Sequence, residues 1–189
     1  RKVAKVYSNI GSYNNHIGIP FTLAQIPDDA QFYLQELGMN KKGEIGALSK
    51  IIRPELAIIT AVEKSHLSKL KTLKQIAEAK CEIMSNLEKN GCFIYNADTN
   101  FNEFIKDKAH ENNIKNIITY GKKENANIKL LSFKIKRDKY HITAKIFDNK
   151  KSWVMPIVND HWIINSLAVI AVSIFYNLNL NRILKSFSS

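Results

Sequence analysis

Glu36 is the residue that most needs an explanation. It closes the apolar run Phe32-Tyr33-Leu34-Gln35-Glu36-Leu37 just before Gly38, and that run reads as a buried strand, where an unpaired carboxylate is costly. His66 follows a second apolar run, in Val62-Glu63-Lys64-Ser65-His66-Leu67. In an open parallel sheet, ligands gather outside the carboxyl ends of the strands, so a Glu and a His at the ends of neighbouring strands are candidate ligands for Mg2+. That ion takes one or two protein ligands and completes its octahedron with water and phosphate oxygens. Each residue also has a structural reading, as a capping carboxylate or a hydrogen-bonded loop histidine. Asn96 and Asp98 end a further run, Cys92-Phe93-Ile94-Tyr95, at the same predicted edge.

Lys80 raises a different question. The stripe Leu73, Ile76, Ala77, Lys80, Ile83, Met84, Leu87 advances by three and four, so the lysine takes a core slot on a helix. Its stem can pack inside while the ammonium reaches water. A desolvated lysine with a lowered pKa is the alternative, and its neutral amine can add carbon dioxide to become a carbamate, an anion like a carboxylate.

The elements that must position these residues alternate. Strands are expected over 1–9, 30–37, 55–62, 91–96 and 115–121, with amphipathic helices over 17–26, 43–52, 72–88 and 99–113. Repetition of strand and helix calls for a parallel sheet covered by helices on both faces. Three further strands, 128–138, 140–148 and 151–158, are separated by short polar turns and form an antiparallel appendage. A helix over 160–178 and a short one over 180–187 close the chain. The expected fold is therefore α/β, a mostly parallel sheet flanked by helices with an appended antiparallel three-stranded sheet, in one domain.

Composition narrows the function. At 45% hydrophobic and 24% charged, the 189 residues have an ordinary globular make-up. Cys81 and Cys92 are too few for a disulfide framework or a zinc site, which suits a reducing cytoplasm. The longest apolar stretch, Trp162 to Leu178, is broken by Asn165, Ser166, Ser173 and Asn177 and reads as a buried helix, with no membrane span. The net charge of +11 favours anionic partners, but it comes mostly from scattered lysines without aromatic interleaving, so no specific nucleic acid is expected. None of the seven glycines opens a phosphate loop, a dinucleotide fingerprint or a nucleophile elbow. The first residue is Arg1, with no leader pattern, so the chain reads as cut from something longer.

Five motifs in register resemble the central domain of the Mur ligase family, and within it the branch that adds D-Ala-D-Ala to UDP-MurNAc-tripeptide in peptidoglycan synthesis. They are Tyr13-Asn14-Asn15-His16-Ile17-Gly18-Ile19-Pro20-Phe21-Thr22-Leu23, Glu36-Leu37-Gly38-Met39-Asn40 with Gly43-Glu44-Ile45, Ser65-His66-Leu67 with Ala77-Glu78-Ala79-Lys80-Cys81-Glu82-Ile83, Asn96-Ala97-Asp98, and the segment from His161 to Val172. The resemblance covers roughly residues 6–187. It implies that Glu36 and His66 serve Mg2+ and that Lys80 is carbamoylated and completes the metal and phosphate environment. Asn14 and Asn15 would lie near the ATP phosphates and the incoming substrate. His161 and Asn165 would lie on the nucleotide side, with Asn165 at adenine. It further implies transfer of phosphate from ATP to the substrate carboxylate, followed by attack of the dipeptide amine on the acyl phosphate.

The chain departs from the family pattern in places. Asn159 and Trp162 replace a glycine and an asparagine around His161, and Ala61 and Glu63 replace an asparagine and a glycine ahead of His66. By the same resemblance, residues 1–189 form an incomplete central domain without the UDP-substrate domain, the phosphate loop or the C-terminal domain. Such a segment is expected to be inactive in isolation. A non-catalytic remnant, or a basic module that binds nucleic acid or a protein on the same fold, is the competing expectation.

Overall fold

A computed structural model describes residues 4–9, 11–63 and 70–188. Strand β1 (Val6–Ser8) and helix α1 (Gly18–Leu23) lead to β2 (Phe32–Leu34), α2 (Glu44–Ile52) and β3 (Leu56–Ile59). Then come α3 (Leu73–Cys81), a 3-10 helix (Glu82–Asn86), β4 (Cys92–Asn96), α4 (Asn102–Glu111) and β5 (Asn116–Gly121). The antiparallel strands β6 (Ile128–Lys136), β7 (Lys139–Ile146) and β8 (Asn149–Pro156) follow, and α5 (His161–Phe175) and α6 (Leu180–Ser186) complete the chain.

The α/β architecture and the antiparallel appendage match the sequence expectation. Strands β3, β4, β5 and β6 pair in parallel, and β6, β7 and β8 continue the same sheet as an antiparallel meander, with a bulge between Leu130 and Ser132. One difference matters for the site. Among the described residues, strands β1 and β2 form a separate two-stranded parallel sheet and do not join the six-stranded one. The sequence pattern identifies strands but not their partners, so this break was not legible in it.

Each face of the six-stranded sheet has its own core. Helix α5 lays Ile163, Leu167 and Ile170, all at most 1% exposed, on Ile94, Tyr120, Ile128 and Ile142. Full burial of such side chains contributes about 1.5–3 kcal/mol each. On the opposite face Cys81, Met84, Ile105 and Ala109 cover Ala57, Phe93 and Tyr95. A third cluster, Met39, Ile45, Leu70, Ile76 and Ala79, joins α2 to α3, with Leu37 and Val62 packed against it.

The helix expected over 72–88 is α-helical only to Cys81 and tightens to 3-10 beyond it. Side-chain anchors account for the change. The Glu82 carboxylate accepts from the Gly43 and Gly46 backbone N–H groups at 2.7 and 3.1 Å, and Asn86 Nδ2 donates to Gly46 O and Ser49 Oγ at 3.0 and 2.9 Å. Gly43 itself has φ 91°, a left-handed conformation that glycine adopts without strain. A carboxylate thus sits at the start of α2, where free N–H groups and the helix dipole both favour it.

Candidate functional site

A cleft of about 780 Å3 opens between β2 and β3. Residues 31–37 form one wall and residues 54–60 the other, while Lys80 and Ile83 close one side and Tyr176 another. Two of the residues singled out in the sequence, Glu36 and Lys80, therefore meet in one cavity at the carboxyl ends of β2 and β3.

Glu36 does not sit in a buried strand. Strand β2 ends at Leu34, which is 60% exposed, and Glu36 lies in the exposed segment that follows. The apolar run is a half-buried edge, so the desolvation argument for Glu36 fails and its placement is set by the loop. Its backbone N–H donates to Asn9 Oδ1 at 3.3 Å, and Gln35 Nε2 donates to Tyr13 O at 3.1 Å. The Gly38 N–H donates to Asn14 O at 2.8 Å, and a Cβ on Gly38 would come within 2.7 Å of the Asn14 side chain. These bonds lace the segment carrying Asn14 onto the segment carrying Glu36, and the missing side chain of Gly38 makes room for the contact. Asn15 has a local task, with its Oδ1 accepting from the Ile17 and Gly18 N–H groups at 3.0 and 2.9 Å at the start of α1.

Lys80 is half-buried on α3. Burial holds its pKa below the ordinary lysine value, and the carboxylates of Glu36 and Glu63 partly offset that effect by favouring the ammonium. Glu63, a departure from the family pattern in the sequence, is thus one of the two charges that act on Lys80.

The other candidates are placed elsewhere. His161 and Asn165 lie one turn apart on the exposed side of α5 and do not line the cleft. The His161 N–H donates to Asn159 Oδ1 at 2.9 Å. His66 lies outside the described residues. Asn96 and Asp98 are structural: Asn96 Oδ1 accepts from the Asp98 N–H at 2.9 Å, and the Asp98 carboxylate accepts from the Lys122 and Lys123 N–H groups at 2.8–3.0 Å.

Among the described residues no group of three or more His, Cys, Asp or Glu side chains converges on a metal position. The Glu36 carboxylate accepts no hydrogen bond from the described residues.

The fold is thus an α/β sheet with an antiparallel extension, with an acid and a half-buried lysine at its ligand edge and asparagines laced beside them. The comparisons agree: the model of the Mur ligase middle domain matches residues 1–173, and the chain belongs to the Mur ligase family. Among curated relatives, UDP-N-acetylmuramoyl-tripeptide–D-alanyl-D-alanine ligase of Rickettsia prowazekii is 33% identical over 167 residues, 88% of this chain and 37% of that protein. The enzyme of the same name from Bacillus subtilis is 32% identical over 174 residues, 92% of this chain and 36% of that protein. The structure of MurF from Acinetobacter baumannii superposes with a TM-score of 0.89 at 23% identity, covering 98% of this chain and 40% of that one. MurF ligase from Thermotoga maritima in complex with ADP gives 0.84 at 19% identity, covering 96% and 42%. The chain thus spans well under half the length of these proteins.

Proposed function

We propose that this chain is the central-domain segment of a ligase that joins D-Ala-D-Ala to UDP-MurNAc-tripeptide at the expense of ATP, in the cytoplasm. The observation that carries the reading is the meeting of Glu36 and Lys80 in the cleft at the carboxyl ends of β2 and β3. In the reaction the γ-phosphoryl group passes to the tripeptide carboxylate, giving an acyl phosphate and ADP. The dipeptide amine then adds to the acyl carbon, and phosphate leaves from the tetrahedral intermediate as the amide forms. Such chemistry relies on positioning and on neutralising phosphate charge.

Each residue has a part in this reading. Glu36, with His66 by resemblance, would hold Mg2+, and that ion would supply charge neutralisation at the phosphate oxygens. Lys80, once its amine is neutral, would carry the carbamate that completes the anionic surroundings. Asn14, held by Gly38, would lie on the phosphate side, and Asn15 shapes the start of α1 beside it. His161 and Asn165 on α5 would face the nucleotide base. Since the chain spans well under half of its relatives, the isolated 189 residues would not complete the reaction.

A chimera tests the assignment: this chain replaces its counterpart in the Bacillus subtilis relative, and ADP release is followed with UDP-MurNAc-tripeptide and D-Ala-D-Ala. The expected result is ADP release that requires both substrates and drops at least 100-fold in Glu36→Ala, since removal of a charge-stabilising group costs on that order. A folded chimera with no ADP release, or an E36A chimera with full activity, would remove Glu36 and this chain from the proposed role.

A second reading has one observation in its favour. In the antiparallel extension Lys136 stands directly opposite Lys139, and Lys145 opposite Lys150, pairs that repel each other across the strands. A basic binding module would use such a face. Oligonucleotide binding that weakens steeply with salt, in a chain that does not support ligation in the chimera, would favour it.

A further inference from the structure

We propose that the outer face of the antiparallel extension, turned away from α5, is a docking groove for an acidic, extended segment of a partner protein. The inference goes beyond the ligase reading and does not rest on it, because the face lies at the opposite edge of the sheet from β3 and the cleft. Residues 128–156 carry eight Lys and Arg against two Asp, a net +6 of the chain's +11. The pairing of β6, β7 and β8 sorts those charges, since residues directly opposite one another share a face. One end row sets Lys129, Lys145 and Lys150 side by side, and the other sets Lys136 opposite Lys139. Between these rows a groove of about 430 Å3 crosses all three strands. Its floor carries the hydroxyls of Ser132, Thr143 and Ser152 in one row and Lys134 beside His141 in the next.

This face therefore holds six lysines and no carboxylate. Like charges directly opposite each other across strands repel. Two of the six are met by acids from the turns that flank the strands, Lys129 by Glu124 and Lys145 by Asp148. Among the described residues Lys134, Lys136, Lys139 and Lys150 make no ion pair, and all four are exposed. A counter-charge brought by another molecule relieves the repulsion that the fold leaves standing. The buried face of the same strands, by contrast, is apolar and filled by α5, so the two faces have separate tasks.

The chemistry of the face selects a polypeptide among anionic partners. Its cations are all lysines, point charges without the guanidinium fork that matches phosphate, and it carries no aromatic ring on which a base could stack. Its one aliphatic side chain in the groove, Val154, is half-buried, so nothing apolar protrudes to enter a bilayer. The hydroxyls decide further. Thr143 Oγ1 and Ser152 Oγ lie 2.9 Å apart, and each hydroxyl can both donate and accept. A polypeptide offers backbone N–H groups to such acceptors and carboxylates to such donors, whereas a phosphodiester backbone offers acceptors alone. The three strands span about 10 Å, so about three or four extended residues cross the groove, with their carboxylates within reach of lysines on both banks.

The test titrates the 15N-labelled 189-residue chain, without ATP or Mg2+, with a peptide of about ten residues carrying about four central glutamates. The expected result is that amide shifts concentrate in residues 132–134, 141–143 and 152–154 and fade as salt is raised. Lys134→Glu with Lys139→Glu should weaken binding about tenfold or more, while Lys50→Glu with Lys71→Glu, exposed lysines on other elements, leaves it unchanged. Melting curves confirm that both double variants fold. The proposal is overturned if the peptide does not bind, if the shifts spread over the whole surface, or if the second double variant weakens binding as much as the first. It is equally overturned if an oligonucleotide of the same charge, or phosphatidylserine vesicles, bind more tightly than the peptide through Lys134 and Lys139. Because no nucleotide is present, failure here leaves the ligase assignment standing, and an inactive chimera leaves this one standing.

Discussion

At the scale of single residues, Lys80 joins geometry to chemistry. Burial lowers its pKa, while Glu36 and Glu63 pull it back toward the ammonium. Since the folded pKa lies below the unfolded one, the unfolded chain binds the proton more readily, and the Lys80 contribution to stability rises with pH between the two values. Lys80→Met, which keeps the apolar stem and removes the charge, should leave the melting temperature equal or higher at neutral pH and flatten that part of the pH profile. With 13C-labelled bicarbonate, a carbamate signal is expected from the native chain and not from K80M. Glu63→Gln removes one of the charges that favour the ammonium, so it should increase the carbamate signal at a given pH; an unchanged signal in that variant would show that Glu63 does not act on Lys80. Gly38 belongs to the same scale: Gly38→Ala forces its new methyl group against Asn14 and should cost about 1–3 kcal/mol in urea unfolding.

At the scale of elements, the clamp between the 3-10 helix and α2 decides whether the cleft keeps its shape. Glu82 satisfies two N–H groups at the start of α2, and Asn86 holds Gly46 and Ser49 from the next turn. The segment of residues 35–43 runs directly into α2, so this clamp also fixes the stretch that carries Glu36. Glu82→Ala should destabilise the chain by about 1–2 kcal/mol, with Glu82→Gln less damaging because it retains an acceptor. Equal unfolding midpoints for the native chain and E82A would show that the helix start is held by other contacts. The motif Ala79-Lys80-Cys81-Glu82-Ile83 stood out in the sequence, but nothing in its spacing said that Glu82 reaches a helix nearly forty residues earlier.

At the scale of the whole molecule, the break in the sheet sets the order of local stability. Strands β1 and β2 form a two-stranded ribbon beside an open cleft, whereas β4 and β5 are central in a six-stranded sheet with helices on both faces. Two strands alone are marginal in water. Amides of Val6–Ser8 and Phe32–Leu34 should therefore exchange at a lower opening free energy than those of Cys92–Asn96 and Ile117–Tyr120. Equal protection of both groups would mean that the ribbon is held as firmly as the main sheet. The antiparallel extension depends on its inner face, where Ile142, Ile146 and Trp153 are buried, and it leaves the lysine pairs of the other face to solvent.

Strand and helix periodicity alone identified the strand regions, their alternation with helices and the change to an antiparallel meander, because those patterns are local and repeat every two or every three to four residues. The spacing on α3 also placed Lys80 in a core slot. The residue motifs pointed to the family. Tertiary structure decided what local pattern cannot carry. It showed that Glu36 is exposed at the rim of a short edge strand, that Asn96 and Asp98 are consumed by backbone bonds at the ends of β4 and β5, and that His161 and Asn165 lie apart from the cleft. Among the described residues it also left β2 and β3 not paired with each other, since a strand shows its own alternation in sequence while its partner is chosen by contacts between distant parts of the chain.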